Sequence, residues 1–144
     1  MDEYKPLNFE DFTKEIFSLI FELKKFVMND EITADLNPVE YLALFYVYFY
    51  EPVKMTDIAK RVNLTKSAVT VIADKLEKVG YIKRQRSESD RRIINIVMNN
   101  LGKKECRKSL VNLKKLYDKA LETLSEEEQK NIFGIILKLI SSLS

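Results

Sequence analysis

Residues 55–80 read MTDIAKRVNLTKSAVTVIADKLEKVG and contain two helical patterns joined by a tight turn. The first pattern ends near Asn63, a residue type that adopts the left-handed backbone conformation needed in such a turn. The second runs over 66–79, with Thr65 as a suitable N-cap and Gly80 as a suitable residue to end the helix. The stretch therefore predicts a helix-turn-helix unit.

The second of these helices has a polar side that suits contact with a nucleic acid. Its apolar residues recur at steps of three and four from Val69 to Val79 and are expected to face inward. A helix about 10–12 Å across fits the ~12 Å major groove of DNA if its outer side chains allow close approach. The outer side chains of this helix are short or polar and meet that condition. The residues expected to contact DNA are Thr65, Lys66, Ser67, Ala68, Thr70, Val71 and Lys75.

Two β-compatible runs, 81–86 and 92–98, follow around a charged loop and predict a β-hairpin. Arginine side chains on such a hairpin can contact phosphates or enter a narrow minor groove. A carboxylate in this loop would repel phosphate, so we expect Asp90 to hold an arginine in an extended conformation. The candidates are Arg84 and Arg86 for the phosphates, Arg91 and Arg92 for the minor groove, and Asp90 as their support.

Helical patterns flank this unit on both sides. They cover about 8–28, 37–51, 99–123 and 125–143. The sequence therefore predicts a mainly α fold with a small β wing, built from about six helices and a two- or three-stranded sheet. We expect a single chain, 1–144, in which 31–99 form a winged helix-turn-helix DNA-binding lobe, while 1–30 and 100–144 form a helical dimerisation lobe.

The terminal helices carry more apolar surface than one chain of this size is expected to cover. The last helix is apolar around most of its circumference, and Lys130 and Lys138 give it a charged side. Tight recognition of DNA usually needs two reading units about 34 Å apart, so we expect a homodimer. The alternative is that these residues complete the core of a monomer. The dimerisation candidates are Phe9, Phe12, Ile16, Ile132, Ile136, Leu139, Ile140 and Leu143.

Positive charge is concentrated in the middle of the chain. Residues 54–92 contain eleven basic and five acidic side chains, a net charge of +6. Residues 1–53 contain four basic and eleven acidic side chains, a net charge of −7, and the whole chain carries +2. The positive segment predicts a surface that meets a polyanion. The alternative is that these charges only keep the protein in solution.

Several kinds of chemistry lack the residues that they need. The sequence has no histidine, one cysteine and three widely separated glycines, which excludes His-dependent triads, zinc sites and Gly-rich phosphate loops. We expect no enzyme activity, no catalytic residues, no cofactor and no metal. A single cysteine fits a reducing compartment. The apolar stretch 41–50 is too short to span a membrane, and the acidic N-terminus is unlike a signal peptide. A cytoplasmic protein is therefore expected.

The sequence resembles the MarR family of transcriptional regulators over essentially its whole length. The likeness is carried by 55–70, 74–82 and 87–92, the last containing an Asp90-x-Arg92 pair. The resemblance implies that the second helix of the helix-turn-helix reads the major groove, and that Arg92, braced by Asp90, enters the minor groove. It also implies a dimer layer made by the first, fifth and sixth helices. The expected function is that of a ligand- or signal-responsive repressor, acting as a homodimer on a pseudopalindromic operator.

Three positions depart from the pattern of the family. Val71 stands where many members have arginine, and it offers an apolar contact to a thymine methyl instead of a contact to phosphate or guanine. Asn63 replaces the common turn glycine. Asn99 replaces a threonine and can still cap the fifth helix. The preference for particular bases is therefore left open.

The resemblance further implies a small aromatic or phenolic effector, bound beside an aromatic cluster in the second helix. The alternative is ordinary packing of aromatic side chains between lobes. Cys106 is expected to be an ordinary thiol and not a redox switch. The ligand-binding candidates are Tyr41, Phe45, Tyr48 and Phe49.

A fold alone does not decide a function, so a second hypothesis of a different class has to be considered. In it, the winged helix is a protein-protein interaction module without sequence-specific DNA binding. The polar face of the helix over 66–79 carries lysine, serine and threonine and no large aromatic anchor. Protein interfaces usually depend on such anchors, so this alternative is disfavoured.

Overall fold

The computed structural model describes residues 8–27 and 35–143. Residues 1–7 and 28–34, which the predicted lobes include, lie outside the described residues, as does Ser144. The described chain forms a three-stranded sheet and six helices, which confirms the predicted fold class. The elements in order are α1 (Phe9–Val27), α2 (Pro38–Tyr50), β1 (Val53–Lys54), α3 (Met55–Arg61), α4 (Lys66–Val79), β2 (Ile82–Arg86), β3 (Ile94–Met98), α5 (Asn100–Thr123) and α6 (Glu126–Leu143).

The helix ends follow the local signals in the sequence. At the start of α2, Asn37 Oδ1 accepts from the amides of Val39 and Glu40 at 3.0 Å, and Glu40 Oε2 accepts from the Asn37 amide at 2.8 Å. Thr65 Oγ1 accepts from the Ala68 amide at 3.2 Å and caps α4. Gly80 ends α4 in the left-handed conformation, with a φ of 88°.

The turn between α3 and α4 requires a left-handed residue, and Asn63 supplies it with a φ of 53°. The amide of Leu64 then donates to the carbonyl of Ala59 at 2.9 Å. This turn sets α4 at a fixed angle to α3 and completes the predicted helix-turn-helix.

The sheet is antiparallel with the order β1-β3-β2. Strands β2 and β3 form the predicted hairpin, with Arg84 opposite Ile96. The short strand β1 was not predicted, and it pairs Lys54 with Asn95 on the other side of β3. The sheet therefore connects the start of α3 to the wing.

Contacts divide the chain into two compact units, Met1–Leu110 and Val111–Ser144. In the first unit the core lies between α2, α3, α4, the sheet and the start of α5. The division falls within α5, whereas the predicted lobe boundary lies at its start. The fully buried side chains include Leu44, Val47, Val69, Leu76, Ile82, Ile96 and Cys106.

The junction between the sheet and α5 is tightly packed. A Cβ at Gly102 would collide with the carbonyl of Tyr81, and it would lie 2.8 Å from the Cε of Met98. The predicted cap residue Asn99 has a different role, because its side-chain amide donates to the carbonyls of Gly80 and Ile82 at 3.2 and 3.0 Å. This residue therefore fastens the end of α4 and the start of β2 to the start of α5.

In the second unit, α6 begins with a capping box: the Ser125 amide donates to Glu128 Oε2 at 2.8 Å, and the Glu128 amide donates to Ser125 Oγ at 3.3 Å. These hydrogen bonds hold the pKa of Glu128 below its ordinary value. Gln129 Nε2 donates to the carbonyls of Leu121 and Leu124 at 3.0 and 2.9 Å. Among the helices of the described chain, none is long and apolar enough to cross a lipid bilayer.

Candidate nucleic-acid interface

The first two turns of α4 present an exposed face. Lys66, Ser67, Thr70 and Val71 are exposed on it, while Ala68 is half-buried beside them. The buried side of the same helix is apolar and packs into the core. The structure therefore brings the first six predicted contact residues, Thr65 included, to one end of α4.

Lys75 has a different environment from the one predicted. Its Nζ lies 2.6 Å from Oε2 of Glu40, whose side chain is only 10% exposed. The Lys75 side chain itself is 41% exposed. The structure therefore gives Lys75 a carboxylate partner on α2, which engages the charge that was predicted to contact DNA.

Arg84 was predicted to contact phosphates, but it is held by two carboxylates of α4. Its Nη2 lies 2.5 Å from Oδ1 of Asp74, and its Nη1 pairs with Oε2 of Glu77. The backbone amide of Arg84 also donates to Glu77 Oε1 at 3.0 Å. The hydrogen bond to Asp74 and the charge of Glu77 raise the pKa of the guanidinium above its ordinary value. This cluster fastens β2 to α4.

Asp90 supports the wing loop, but through the main chain. Its Oδ1 accepts from the Arg92 amide at 2.9 Å, and its carbonyl accepts from the Ile93 amide at 2.9 Å. The predicted contact to an arginine guanidinium is not made within residues 8–27 and 35–143. Arg91 and Arg92 are exposed, and neither forms an ion pair in the described chain. Asp90 therefore fixes the main-chain conformation of the loop, and the guanidinium of Arg92 remains available to a partner outside the described chain.

A cavity of about 350 Å³ lies between α4, the start of α3 and the wing. It brings together the predicted residues Lys66, Thr70, Arg84 and Arg92, and it has no carboxylate in its lining. We call it the basic cleft. A concave surface lined by cations concentrates positive potential and attracts phosphate groups. Its lining residues are Lys54, Met55, Thr56, Lys66, Thr70, Arg84, Arg92, Ile93 and Ile94.

Sequence reasoning missed Lys54 and placed Arg86 differently. Lys54 enters the basic cleft because β1 pairs with β3, and two residues give no periodic signal for a strand. Arg86 lines another cavity, of about 210 Å³, with Pro52 and Asn95. The structure therefore does not bring Arg86 together with Arg84 and Arg92.

The aromatic candidates in α2 divide between the core and the surface. Tyr41 and Phe45 are buried, and their ring centroids lie 4.6 Å apart. Phe49 is 59% exposed, and its ring lies 5.9 Å from that of Phe45 and 5.2 Å from that of Tyr48. Packing accounts for Tyr41 and Phe45, whereas Tyr48 and Phe49 form the accessible end of the cluster.

The dimerisation candidates are all exposed in the described chain, which favours the interface over the alternative that they complete the core of a monomer. The exposed fraction ranges from 38% at Ile16 to 87% at Leu143. Large apolar surfaces of this kind on a folded protein usually mark an interaction site. The exposed set is Phe9, Phe12, Ile16, Ile132, Ile136, Leu139, Ile140 and Leu143.

Known proteins share both this sequence pattern and this fold. A sequence profile of the MarR family matches residues 36–94. The uncharacterized HTH-type transcriptional regulator YwhA of Bacillus subtilis is 34% identical over 119 residues, which cover 81% of this chain and 86% of YwhA.

Two solved structures are similar along almost their whole length. A MarR-like transcriptional regulator from Thermotoga maritima has a TM-score of 0.77 and 31% identity, covering 95% of this chain and 97% of that protein. FabT of Streptococcus pneumoniae in complex with DNA has a TM-score of 0.76 and 23% identity, covering 93% and 94%, a likeness of fold.

Proposed function

This chain belongs to the MarR family of DNA-binding transcriptional regulators, and from that membership we propose that it is a repressor that binds a pseudopalindromic operator as a homodimer and is released by a small effector. The observation that carries the proposal is the basic cleft, where cations from β1, α4 and the wing converge beside the exposed face of α4. Three elements that are distant in sequence supply positive charge to one surface, which fits a polyanionic partner.

The mode of binding follows from the two exposed features on either side of the cleft. We assign the exposed face of α4, with Thr65, Lys66, Ser67, Ala68, Thr70 and Val71, to the major groove. Arg91 and Arg92 at the wing tip then reach the adjacent minor groove. The phosphates between the two grooves lie against the basic cleft. Arg84 and Lys75 act as supports of this surface and not as contacts to DNA.

The homodimer in this proposal covers the exposed apolar side chains of α1 and α6. No residue of α6 is buried in the chain as described. Association with a second copy removes such a surface from water, and a two-fold axis presents two copies of α4 to half-sites about 34 Å apart. Two copies of α4 related by a two-fold axis match two half-sites related by the same symmetry, which is why a pseudopalindromic operator is proposed.

The effector in this proposal is a small aromatic or phenolic molecule that binds beside the accessible end of the aromatic cluster, at Tyr48 and Phe49. The exposed ring of Phe49 and the half-buried ring of Tyr48 offer stacking partners to such a ligand. We place its site of action in the cytoplasm, because a regulator of transcription acts where the chromosomal DNA lies.

The test is selection from a random-sequence duplex DNA library with the full chain, followed by fluorescence anisotropy on the recovered sequence. We expect a two-fold symmetric motif, and a binding constant that falls with salt by about 0.9 in log K per log unit for each phosphate contacted. Sedimentation equilibrium should give a dimer. Recovery of no common sequence, or binding that does not respond to salt, contradicts the proposal.

A further inference from the structure

The middle of the exposed face of α4 is apolar. Positions 67, 70, 71 and 74 lie three or four residues apart and therefore share one side of the helix. Val71 stands at the centre of this group and is 69% exposed. A β-branched apolar side chain with this exposure gains little from packing within the chain, so most of its surface is free to be buried by a partner of α4.

Most of the polar groups around Val71 are already engaged, and the exposed Ser67, one turn before it, carries only a hydroxyl. The hydroxyl of Thr70 donates to the carbonyl of Lys66 at 2.9 Å. The carboxylate of Asp74 is paired with Arg84, and the ammonium of Lys75 is paired with Glu40. A bidentate hydrogen bond to guanine or adenine needs a free amide or guanidinium. These neighbours of Val71 cannot supply one without breaking a contact inside the protein.

The exposed cations on α4 stand apart from Val71. Lys66 lies five residues before it and Lys78 seven residues after it, so each is at least one helical turn away. At those positions a flexible ammonium suits a phosphate at the edge of the groove. The side chain that meets the floor of the groove at the centre of α4 is thus an aliphatic one.

We propose that Val71 reads the C5-methyl group of a thymine in each half-site, so that this methyl is a determinant of operator choice. The inference rests on the proposed function, because it requires α4 to enter the major groove. Thymine alone presents a methyl group there. Burying one methyl against Val71 is worth about a fourfold change in the binding constant. Two half-sites together are then worth about fifteenfold.

The decisive experiment removes the methyl group and nothing else. Each thymine of the DNA recovered by selection is replaced in turn by deoxyuridine, which pairs with adenine in the same way, and affinity is measured by anisotropy. We expect one thymine in each half-site at which the wild-type protein loses about fourfold in affinity. At the remaining thymines the loss should be smaller than twofold.

Variants of the protein assign the effect to Val71. Val71→Ala should lower affinity for the thymine operator by a similar factor and should no longer distinguish thymine from deoxyuridine at that position. Val71→Thr, which has the same shape and keeps one methyl, should retain partial discrimination. The matched control is Val79→Ala, the same change near the end of α4 at a residue that is 36% exposed, and it should discriminate as the wild type does.

The outcomes separate this inference from the proposed function. If no thymine responds to loss of its methyl, or if Val71→Ala discriminates as well as the wild type, the inference is wrong and the repressor proposal stands. If the selection recovers no common sequence, both are wrong. The comparison requires that the valine variants have the same melting temperature as the wild type. The deoxyuridine series on the wild-type protein tests the inference without any variant.

Discussion

The ammonium of Lys75 lies 2.6 Å from Oε2 of Glu40, although the two residues are 35 positions apart in the sequence. The same oxygen accepts the amide of Asn37 and so belongs to the capping box of α2. One carboxylate oxygen thus connects the start of α2 to the middle of α4. Lys75 is therefore paired within the protein, although its side chain is 41% exposed.

Replacing Lys75 should reduce stability and leave the salt dependence of DNA binding unchanged. Lys75→Met leaves the nearly buried Glu40 carboxylate without its cation, and we expect a loss of about 1–2 kcal/mol in the free energy of unfolding. Urea unfolding measures this. Lys78→Met removes the same charge from an exposed position and should change stability by less than about 0.5 kcal/mol. Equal stability of the two variants would contradict the role given to Lys75.

Glu77→Gln distinguishes positioning of the wing from simple electrostatics. The change makes the protein more positive, which by charge alone should strengthen DNA binding. It also removes one of the two carboxylate charges that fasten Arg84 to α4, so we expect affinity for the operator to fall about fivefold because the wing is held less firmly. Fluorescence anisotropy titrations with the operator show whether the affinity rises or falls. Tighter binding by Glu77→Gln would show that Arg84 contributes more to DNA binding as a direct contact than as a support of the wing.

Arg92→Ala should weaken operator binding by at least about tenfold and leave the oligomeric state unchanged. Its guanidinium has no carboxylate partner in the described chain and lines the basic cleft. Loss of one cation from each of two copies should reduce the slope of log K against log salt by about 1.8. Arg86→Ala, on the same wing but outside the cleft, is the matched control. A larger effect at Arg86 than at Arg92 would overturn the assignment.

The stability of the protein should fall in acid partly through Glu51. Burial raises the pKa of this carboxyl, but hydrogen bonds from Lys103 and from the Met98 amide, with the charge of Lys103, outweigh it and leave the pKa below its ordinary value. A group with a depressed pKa stabilises the fold above its unfolded pKa of about 4.5 and loses that contribution as the pH falls through the folded value.

Glu51→Gln removes this contribution and should flatten the decline. We expect the urea midpoint of the wild type to fall more steeply than that of Glu51→Gln below about pH 5. Above pH 6 the wild type should be the more stable of the two. Parallel curves at all pH values would mean that Glu51 has no part in acid unfolding.

Two glycines in helices should respond in opposite directions to alanine. A Cβ at Gly102 collides with the Tyr81 carbonyl, and Gly102→Ala should cost about 2 kcal/mol through displacement of α5 from the sheet. Nothing lies within 4 Å of a Cβ at Gly134, so Gly134→Ala should stabilise the protein by about 0.5–1 kcal/mol. Thermal unfolding of the two variants measures the difference in one experiment.

Local features of the structure were predictable from the sequence. Caps and turns depend on residues within four positions of one another, and the predicted roles of Thr65, Asn63 and Gly80 are confirmed. The hairpin and the helix-turn-helix are confirmed for the same reason. The short strand β1 was not predicted, because two residues carry no periodic signal, and the side chain of Asn99 binds the carbonyls of Gly80 and Ile82 instead of capping α5.

The partners of charged side chains were not predictable, since tertiary packing chooses them. Lys75 and Arg84 looked like contacts to DNA because of their charge and their place on α4 and the wing. The fold sets Glu40 beside the first of them, and Asp74 with Glu77 beside the second. A sequence pattern records which charges are present, but it does not record which of them neutralise each other.

The fastening of β2 to α4 through Arg84 has a consequence for how an effector can act. With its arginine shared between two carboxylates of α4, the hairpin cannot tilt on its own without separating three charges. Helix α4 and the hairpin are then expected to move together. In the proposed homodimer, an effector would therefore act by altering the distance or angle between the two α4–hairpin units, so that both can no longer occupy successive turns of the duplex at once.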